Sequence, residues 1–189
     1  IRSVYKESIM NFDNFYYEYI SKLISPQMTF FVKVITNLAS AFAFISLTIL
    51  ILLIPKDKKY GMFVGINLAI IFIINTILKF IFARPRPLDI NLIEELGYSF
   101  PSAHAMISTA FYGFIIYLIW QMKLSKRRKW ICTILLSILI ILIGITRIYL
   151  GVHYASDVFA GMLISISYLV LFTSIVSKYL YKNNKKSSR

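Results

Sequence analysis

Five long apolar runs, at about residues 34–54, 61–82, 105–122, 130–145 and 158–177, constrain this chain more than any other feature. Each is near the roughly 17–25 residues that cross a bilayer as a helix, the fourth only if it continues to Leu150. In lipid a spanning segment must satisfy its own backbone hydrogen bonds, which leaves helices or a closed barrel. The period-2 alternation of barrel strands is absent, so the runs are helices. At 58% hydrophobic residues and a mean hydropathy of +0.71, the chain is more apolar than soluble domains, which run near half apolar. The expectation is an all-α, polytopic transmembrane helical bundle with five visible spans, making one membrane-embedded domain of residues 1–189. An odd number of spans separates the termini across the membrane and the chain begins at Ile1 without Met, so a sixth, upstream span is expected in the intact protein.

A net charge of +13 raises nucleic acid as a partner, and the placement of the charges argues against it. Lys56, Lys58, Lys59, Lys123, Lys126, Arg127, Arg128, Lys129, Lys178, Lys182, Lys185, Lys186 and Arg189 fall on one side of the spans, against the single acid Asp57. The other side holds 8 cations, among them Lys79, Arg84, Arg86 and Arg147, against 7 acids. By the positive-inside rule the first side is cytoplasmic, the C-terminus included, and the chain is a multi-pass protein of the cell membrane. Trp120 and Trp130 bracket the basic 121–129 loop, where indole rings favour the headgroup level. No nucleic-acid partner and no obligate protein partner is expected. The lone Cys132 lies inside a span and reads as a small packed side chain, with no disulfide available.

Residues 9–25 set Ile9, Phe12, Phe15, Tyr16, Tyr19, Ile20 and Leu23 on one helical face, opposite Asn11, Asn14, Glu18, Ser21, Lys22 and Ser25, with Pro26 ending the stretch. This amphipathic helix either lies in the outer headgroup layer or packs against the bundle; the interfacial placement is the one expected. The basic 182–189 tail reads as disordered.

Three segments on the outward side carry chemistry. Helix 61–82 should end near Ala83, because Pro85 and Pro87 restrict the residues before them to extended conformations. Arg84 and Arg86 then sit on a stiff strip, and Lys79 reaches out from just inside the helix end. Two planar guanidinium forks and one ammonium can converge on a dianion such as phosphate. Next, Pro101-Ser102-Ala103-His104 opens the third apolar run, so Ser102 can cap a helix whose free N–H groups favour an anion, with His104 facing it. Taken alone, that segment reads first as a capping serine and a packed histidine. Finally, Arg147, His153 and Asp157 lie beside a span, where charge is costly unless used. His153 and Asp157 are four apart, hence on one helical face if the helix starts there. Asp157 can hold one imidazole nitrogen and leave the other free to attack phosphorus. A metal site on the two histidines and Asp157 is a weaker reading, because the lysine and three arginines would repel a cation. A serine hydrolase built on Ser102 lacks a nucleophile elbow. The polar 88–99 loop, with Asp89, Glu94 and Glu95, reads as a solvent-facing connector, with part of an entrance as the alternative.

These three segments resemble the type 2 phosphatidic acid phosphatase family, which also includes the vanadium-dependent haloperoxidases. The family pattern is Lys, six residues, Arg-Pro; then Pro-Ser-Gly-His; then Ser-Arg, five residues, His, three residues, Asp. Lys79 with Arg86-Pro87, Pro101 to His104, and Arg147, His153 and Asp157 keep every spacing. Ala103 stands for the usual glycine and Thr146 for the usual serine. The stretch Gly97 to Met106 and the double Arg-Pro are similar to the bacterial members that act on phosphatidylglycerol phosphate and undecaprenyl diphosphate. The resemblance implies metal-independent dephosphorylation of a membrane lipid phosphate or diphosphate, phosphatidic acid included, at the outer face and with no cofactor. It implies His153 as nucleophile, Asp157 as its orienting acid and His104 as proton donor to the leaving oxygen. Lys79, Arg86, Ser102, Arg147 and the Ala103 N–H would bind the phosphoryl oxygens, with Arg84 a possible additional phosphate contact. The alternative is a catalytically silent lipid-headgroup binder that has kept the clamp and lost turnover, as Ala103 would permit.

Overall fold

The computed structural model describes residues 2–53, 58–87 and 90–187, with side chains described between 7 and 179 in those ranges. Lys56, Asp57, Asp89 and Arg189 of the charge pattern lie outside the described residues. Among the described residues the elements are α1 (Arg2–Ser21), α2 (Pro26–Asn37), α3 (Ala41–Leu53), α4 (Lys58–Phe82), α5 (Ala103–Gln121), α6 (Lys126–Tyr149) and α7 (Ala155–Ser187), with no strand.

By length and apolar composition α4, α5, α6 and the Ala155–Tyr179 part of α7 each suffice to cross a membrane, and the α2–α3 pair, bent by 44°, suffices only when taken together, as one broken span or a re-entrant loop. The fourth run reaches spanning length because α6 continues to Tyr149. The first run departs from expectation, since residues 34–54 are not one continuous helix. Two side-chain bonds, one local and one from α5, explain the break. The Ser40 hydroxyl accepts the Ala43 N–H at 3.2 Å and so starts α3 afresh, and Tyr112 of α5 donates to the Leu38 carbonyl at 2.6 Å. Such side-chain bonds replace the helical ladder at a kink.

Pro26 does not close the amphipathic segment either. It occupies the first turn of α2, where it needs no N–H partner, and Ser25 caps that turn by accepting the Met28 N–H at 3.3 Å. α1 has already ended at Ser21. Its apolar side is divided: Tyr16, Tyr17 and Ile20 pack on Ala105, Ile148 and Ala155 of the bundle, whereas Phe15 and Tyr19 stay exposed. Residues 182–187, expected to be disordered, continue the backbone of α7; their side chains lie outside the description.

α5 is the central helix and packs against α4, α6 and α7. Its Met106, Ala110, Phe111 and Phe114 are fully buried against Val64 and Ile71 of α4, Ile143 of α6, and Phe172 and Val176 of α7. Polar bonds between helices fix their register: Asn67 Nδ2 donates to the Ala110 carbonyl at 3.1 Å, and Ser165 Oγ to the Met106 carbonyl at 2.6 Å. Such bonds favour one rotation of a helix on its neighbour where lipid offers no hydrophobic drive. The bundle perimeter exposes Phe42, Phe80, Leu135, Leu163 and Leu171, a surface suited to acyl chains and not to water. Trp120 and Trp130 meet edge to face at 5.3 Å beside Lys129, at the basic end of the bundle.

Candidate active site

The site forms at the opposite end, where α4 and α6 finish and α5 and α7 begin. Ala83, just beyond α4, has φ +43°. That left-handed conformation costs an L-residue roughly 1–2 kcal/mol and turns the Arg84-Pro-Arg86-Pro87 strip across the bundle mouth. Asn75, about two turns inside α4, donates to the Pro101 carbonyl at 3.4 Å and so fixes the segment that opens α5. After α6 the chain reverses at Gly151, φ +68°, where a Cβ would lie 2.2 Å from the Ile90 carbonyl oxygen. Only glycine fits this turn, which delivers His153.

His153 is 2% exposed and stands in the turn before α7, not on the helix. The four-residue spacing therefore works by a different geometry from the one expected. Asp157, in the first turn of α7, reaches back to accept the Tyr154 N–H at 3.0 Å, half of a capping box. This brings its Oδ2 to 3.6 Å from His153 Nδ1. The Ser99 hydroxyl lies between the two groups, donating to Asp157 Oδ2 and 3.4 Å from His153 Nδ1. On the other side of the ring, Arg86 Nη1 is 3.1 Å from Nε2. A guanidinium can only donate, so Nε2 is the unprotonated nitrogen and Nδ1 carries the hydrogen. Burial, reinforced by Arg86 and Arg147 against the pull of the nearby Asp157 carboxylate, pushes the His153 pKa down to about 4. The ring is neutral at pH 7 with a free electron pair aimed at Arg86.

Arg86 also donates to the carbonyls of Val152 at 2.8 Å, Gly97 at 3.1 Å and Leu96 at 3.1 Å. Its Nη2 meets Glu95 Oε2 at 3.1 Å, and the other oxygen of Glu95 takes a hydrogen bond from Arg147. Arg147 is 1% exposed and is held on its far side by Thr36 Oγ1 of α2 at 2.9 Å. Burial alone would raise the Glu95 carboxyl, but Arg147, His104 and Arg86 together hold it below the usual carboxylate range. Two guanidinium forks thus converge on one two-oxygen anion beside His153. The expectation of a plain solvent-facing connector fails for this part of the 88–99 loop, because Glu95 and Ser99 both turn inward.

Lys79 donates to the Tyr98 carbonyl and shares the electrostatic neighbourhood of Arg86, Glu95, Arg147 and Asp157. Ser102 occupies the cap position of α5 but its hydroxyl makes no cap bond; fully buried, it has no hydrogen-bond partner among the described residues. Arg147 Nε is likewise without a partner among them. The Ser102 N–H donates to the Asp157 carbonyl at 3.2 Å, which ties α5 to α7. Ala103 is the first residue of α5 and lies outside the positive-φ region, so its backbone does not require glycine. His104 follows it within electrostatic reach of Glu95, Arg147 and His153, and no hydrogen bond to its ring occurs among the described residues. Thr146 turns its hydroxyl back to the Ile143 carbonyl at 2.6 Å, inside its own helix.

Arg84 is engaged elsewhere. Its Nη1 bonds Asp157 Oδ1 at 2.6 Å and Ser156 Oγ at 2.7 Å, its Nη2 bonds Asp13 Oδ2 at 2.8 Å, and its plane lies 4.0 Å from the centre of the Tyr154 ring. Sequence reasoning missed Asp13, Ser99 and Thr36 altogether. Only Asp13, an acid set among the aromatics of α1, carried a signal in the sequence.

A neutral histidine beside a buried acid and two arginine forks, at one end of a transmembrane helical bundle, is an arrangement of donors that fits an anionic group. The chain belongs to the PAP2 superfamily, whose pattern matches residues 60–181. It is 35% identical over 101 residues to phosphatidylglycerophosphatase B of Bacillus subtilis, covering 53% of this chain and 49% of that one. It is 31% identical over 129 residues to undecaprenyl-diphosphatase of Sulfolobus acidocaldarius, covering 65% of this chain and 58% of the other. The matched stretch thus spans about half the length of these curated relatives. In fold, the chain is similar to the crystal structure of a transmembrane PAP2 type phosphatidylglycerolphosphate phosphatase from Bacillus subtilis. The TM-score is 0.83 at 24% identity, covering 90% of this chain and 87% of that one. The Aquifex aeolicus LpxE structure follows at 0.69, also 24% identical, covering 84% and 92%.

Proposed function

We propose that the protein is an integral-membrane lipid phosphatase that acts through a phosphohistidine at the outer membrane face. The observation that carries this reading is the convergence of Arg86 and Arg147 on the Glu95 carboxylate next to His153 Nε2. A phosphate group presents the same paired oxygens with more charge and would displace Glu95 from the two forks. The Ser102 hydroxyl and Arg147 Nε, both buried, would then gain a partner. Lys79 adds the third positive charge.

In this geometry Arg86 turns from His153 Nε2 to the phosphoryl oxygens, and the freed electron pair attacks phosphorus. The bond from phosphorus to the lipid oxygen breaks as the nitrogen–phosphorus bond forms, and His104 supplies the proton that the leaving oxygen needs. Asp157 stabilises the positive charge that develops on the ring, and Lys79, Arg86, Arg147 and the Ala103 N–H stabilise the charge on the transferred group. Water then attacks the phosphohistidine, with His104 taking its proton, and releases phosphate. Alkyl phosphates and diphosphates share the group this clamp would hold; the names of the relatives point to phosphatidylglycerol phosphate or undecaprenyl diphosphate as substrates, and the family resemblance adds phosphatidic acid. The positive-inside rule supports a cytoplasmic basic end and C-terminus, and hence an outward site.

The test is inorganic phosphate release by purified protein in detergent with EDTA, from those three lipids, alongside His153→Ala. Release that survives the chelator and disappears in the variant is expected. Release that persists in His153→Ala would remove the nucleophile, loss in EDTA restored by a divalent ion would remove metal independence, and no release from any of the lipids would favour the silent binder.

A further inference from the structure

Asp13 is a buried carboxylate that the proposed chemistry does not use. It sits on α1, outside the spanning bundle, and is 4% exposed although it stands among aromatic residues. Its Oδ1 accepts the Ser156 N–H at 2.7 Å, and its Oδ2 accepts Arg84 Nη2 at 2.8 Å and the Ser156 hydroxyl at 2.9 Å. Arg84 in turn grips Asp157 at 2.6 Å, and the other oxygen of Asp157 faces His153 Nδ1 at 3.6 Å with the Ser99 hydroxyl between them. One guanidinium therefore bridges two carboxylates that come from opposite ends of the chain, and the cation–π contact with Tyr154 keeps its plane between them. An arginine with one carboxylate would leave its second fork free to swing. With two, its position is determined, and so is the Asp157 oxygen it binds.

We infer that Asp13 is a positioning residue for phosphoryl transfer, acting through Arg84 on Asp157, so that the seating of α1 on the bundle sets the orientation of the nucleophile. This rests on the phosphatase reading. Removing the Asp13 charge releases Arg84 from one side and leaves it to pull Asp157 away from His153. Orientation is lost while the phosphate clamp of Lys79, Arg86, Ser102 and Arg147 is untouched.

The experiment measures kcat and KM for phosphate release by Asp13→Asn, Arg84→Gln and the double variant, each normalised to the number of vanadate-binding sites. Asp13→Asn should lower kcat per site by about tenfold, with KM and vanadate affinity within about twofold, the lower end of the scale for groups that orient a reacting residue from outside the site. The double variant should be no worse than Arg84→Gln alone, because the two residues act in series. Wild-type kcat in Asp13→Asn, a loss carried by KM, or a double variant whose loss is the product of the single losses would overturn the inference. If Asp13→Asn yields no binding sites, Arg84→Lys gives the same readout: it keeps the charge but loses the planar fork that spans the two carboxylates, and wild-type kcat there overturns the inference as well. His153→Ala in the same series separates the two levels, since turnover surviving in that variant removes the phosphatase reading itself.

Discussion

Ser102 is costly to the fold, and the proposed phosphate site would give that cost a use. A buried hydroxyl without a partner costs roughly 1–3 kcal/mol of desolvation, and a serine that capped its helix would return about 1 kcal/mol of it. Ser102 makes no such bond. Ser102→Ala should therefore leave the thermal midpoint in detergent unchanged or slightly raised, while vanadate affinity falls by about tenfold, the weight of one hydrogen bond to a charged group. A stability loss with unchanged vanadate binding would return Ser102 to a purely structural role. The neighbouring departure from the family pattern, Ala103, is accommodated because the first residue of a helix has an ordinary backbone that a methyl group tolerates.

At the scale of elements, the site depends on how each helix ends. α4 ends in a left-handed alanine, α6 in a glycine turn, and α7 begins with an acid that reaches back to the preceding N–H. Gly151 has the least freedom, since a side chain there meets the Ile90 backbone and a positive φ together. Gly151→Ala should lower stability by about 1–2 kcal/mol from the backbone conformation alone, and more from the contact with Ile90. Because His153 lies two residues on, the same change should reduce phosphate release more steeply than it reduces folded protein, which paired thermal-melt and activity assays would show. A variant that melts like wild type would mean that the turn is not as constrained as its φ indicates. The α2–α3 break belongs to this scale too. It was invisible in a continuous apolar run, because Ser40 and the Tyr112 hydroxyl that reaches in from α5 impose it.

At the scale of the whole molecule, the proposed topology puts the basic loops inside and the proposed phosphate site outside. In a Cys132→Ser background, Glu94→Cys should react with a membrane-impermeant maleimide in intact cells, and Lys123→Cys only after permeabilisation; the reverse pattern would invert the orientation. By itself the sequence determined that the chain spans a membrane, roughly where it does so, and which of its polar residues form the PAP2 pattern. Hydrophobic length and motif spacing are local properties, readable wherever they occur. Only the tertiary structure decided that Glu95 bridges Arg86 and Arg147, that Ser99 lies between His153 and Asp157, and that Arg84 turns to Asp13 on the far end of the chain. Those pairings join residues many positions apart through charge and hydrogen bonding inside a low-dielectric end of the bundle. No local pattern encodes them, because each partner is selected by the helix arrangement that brings it within reach.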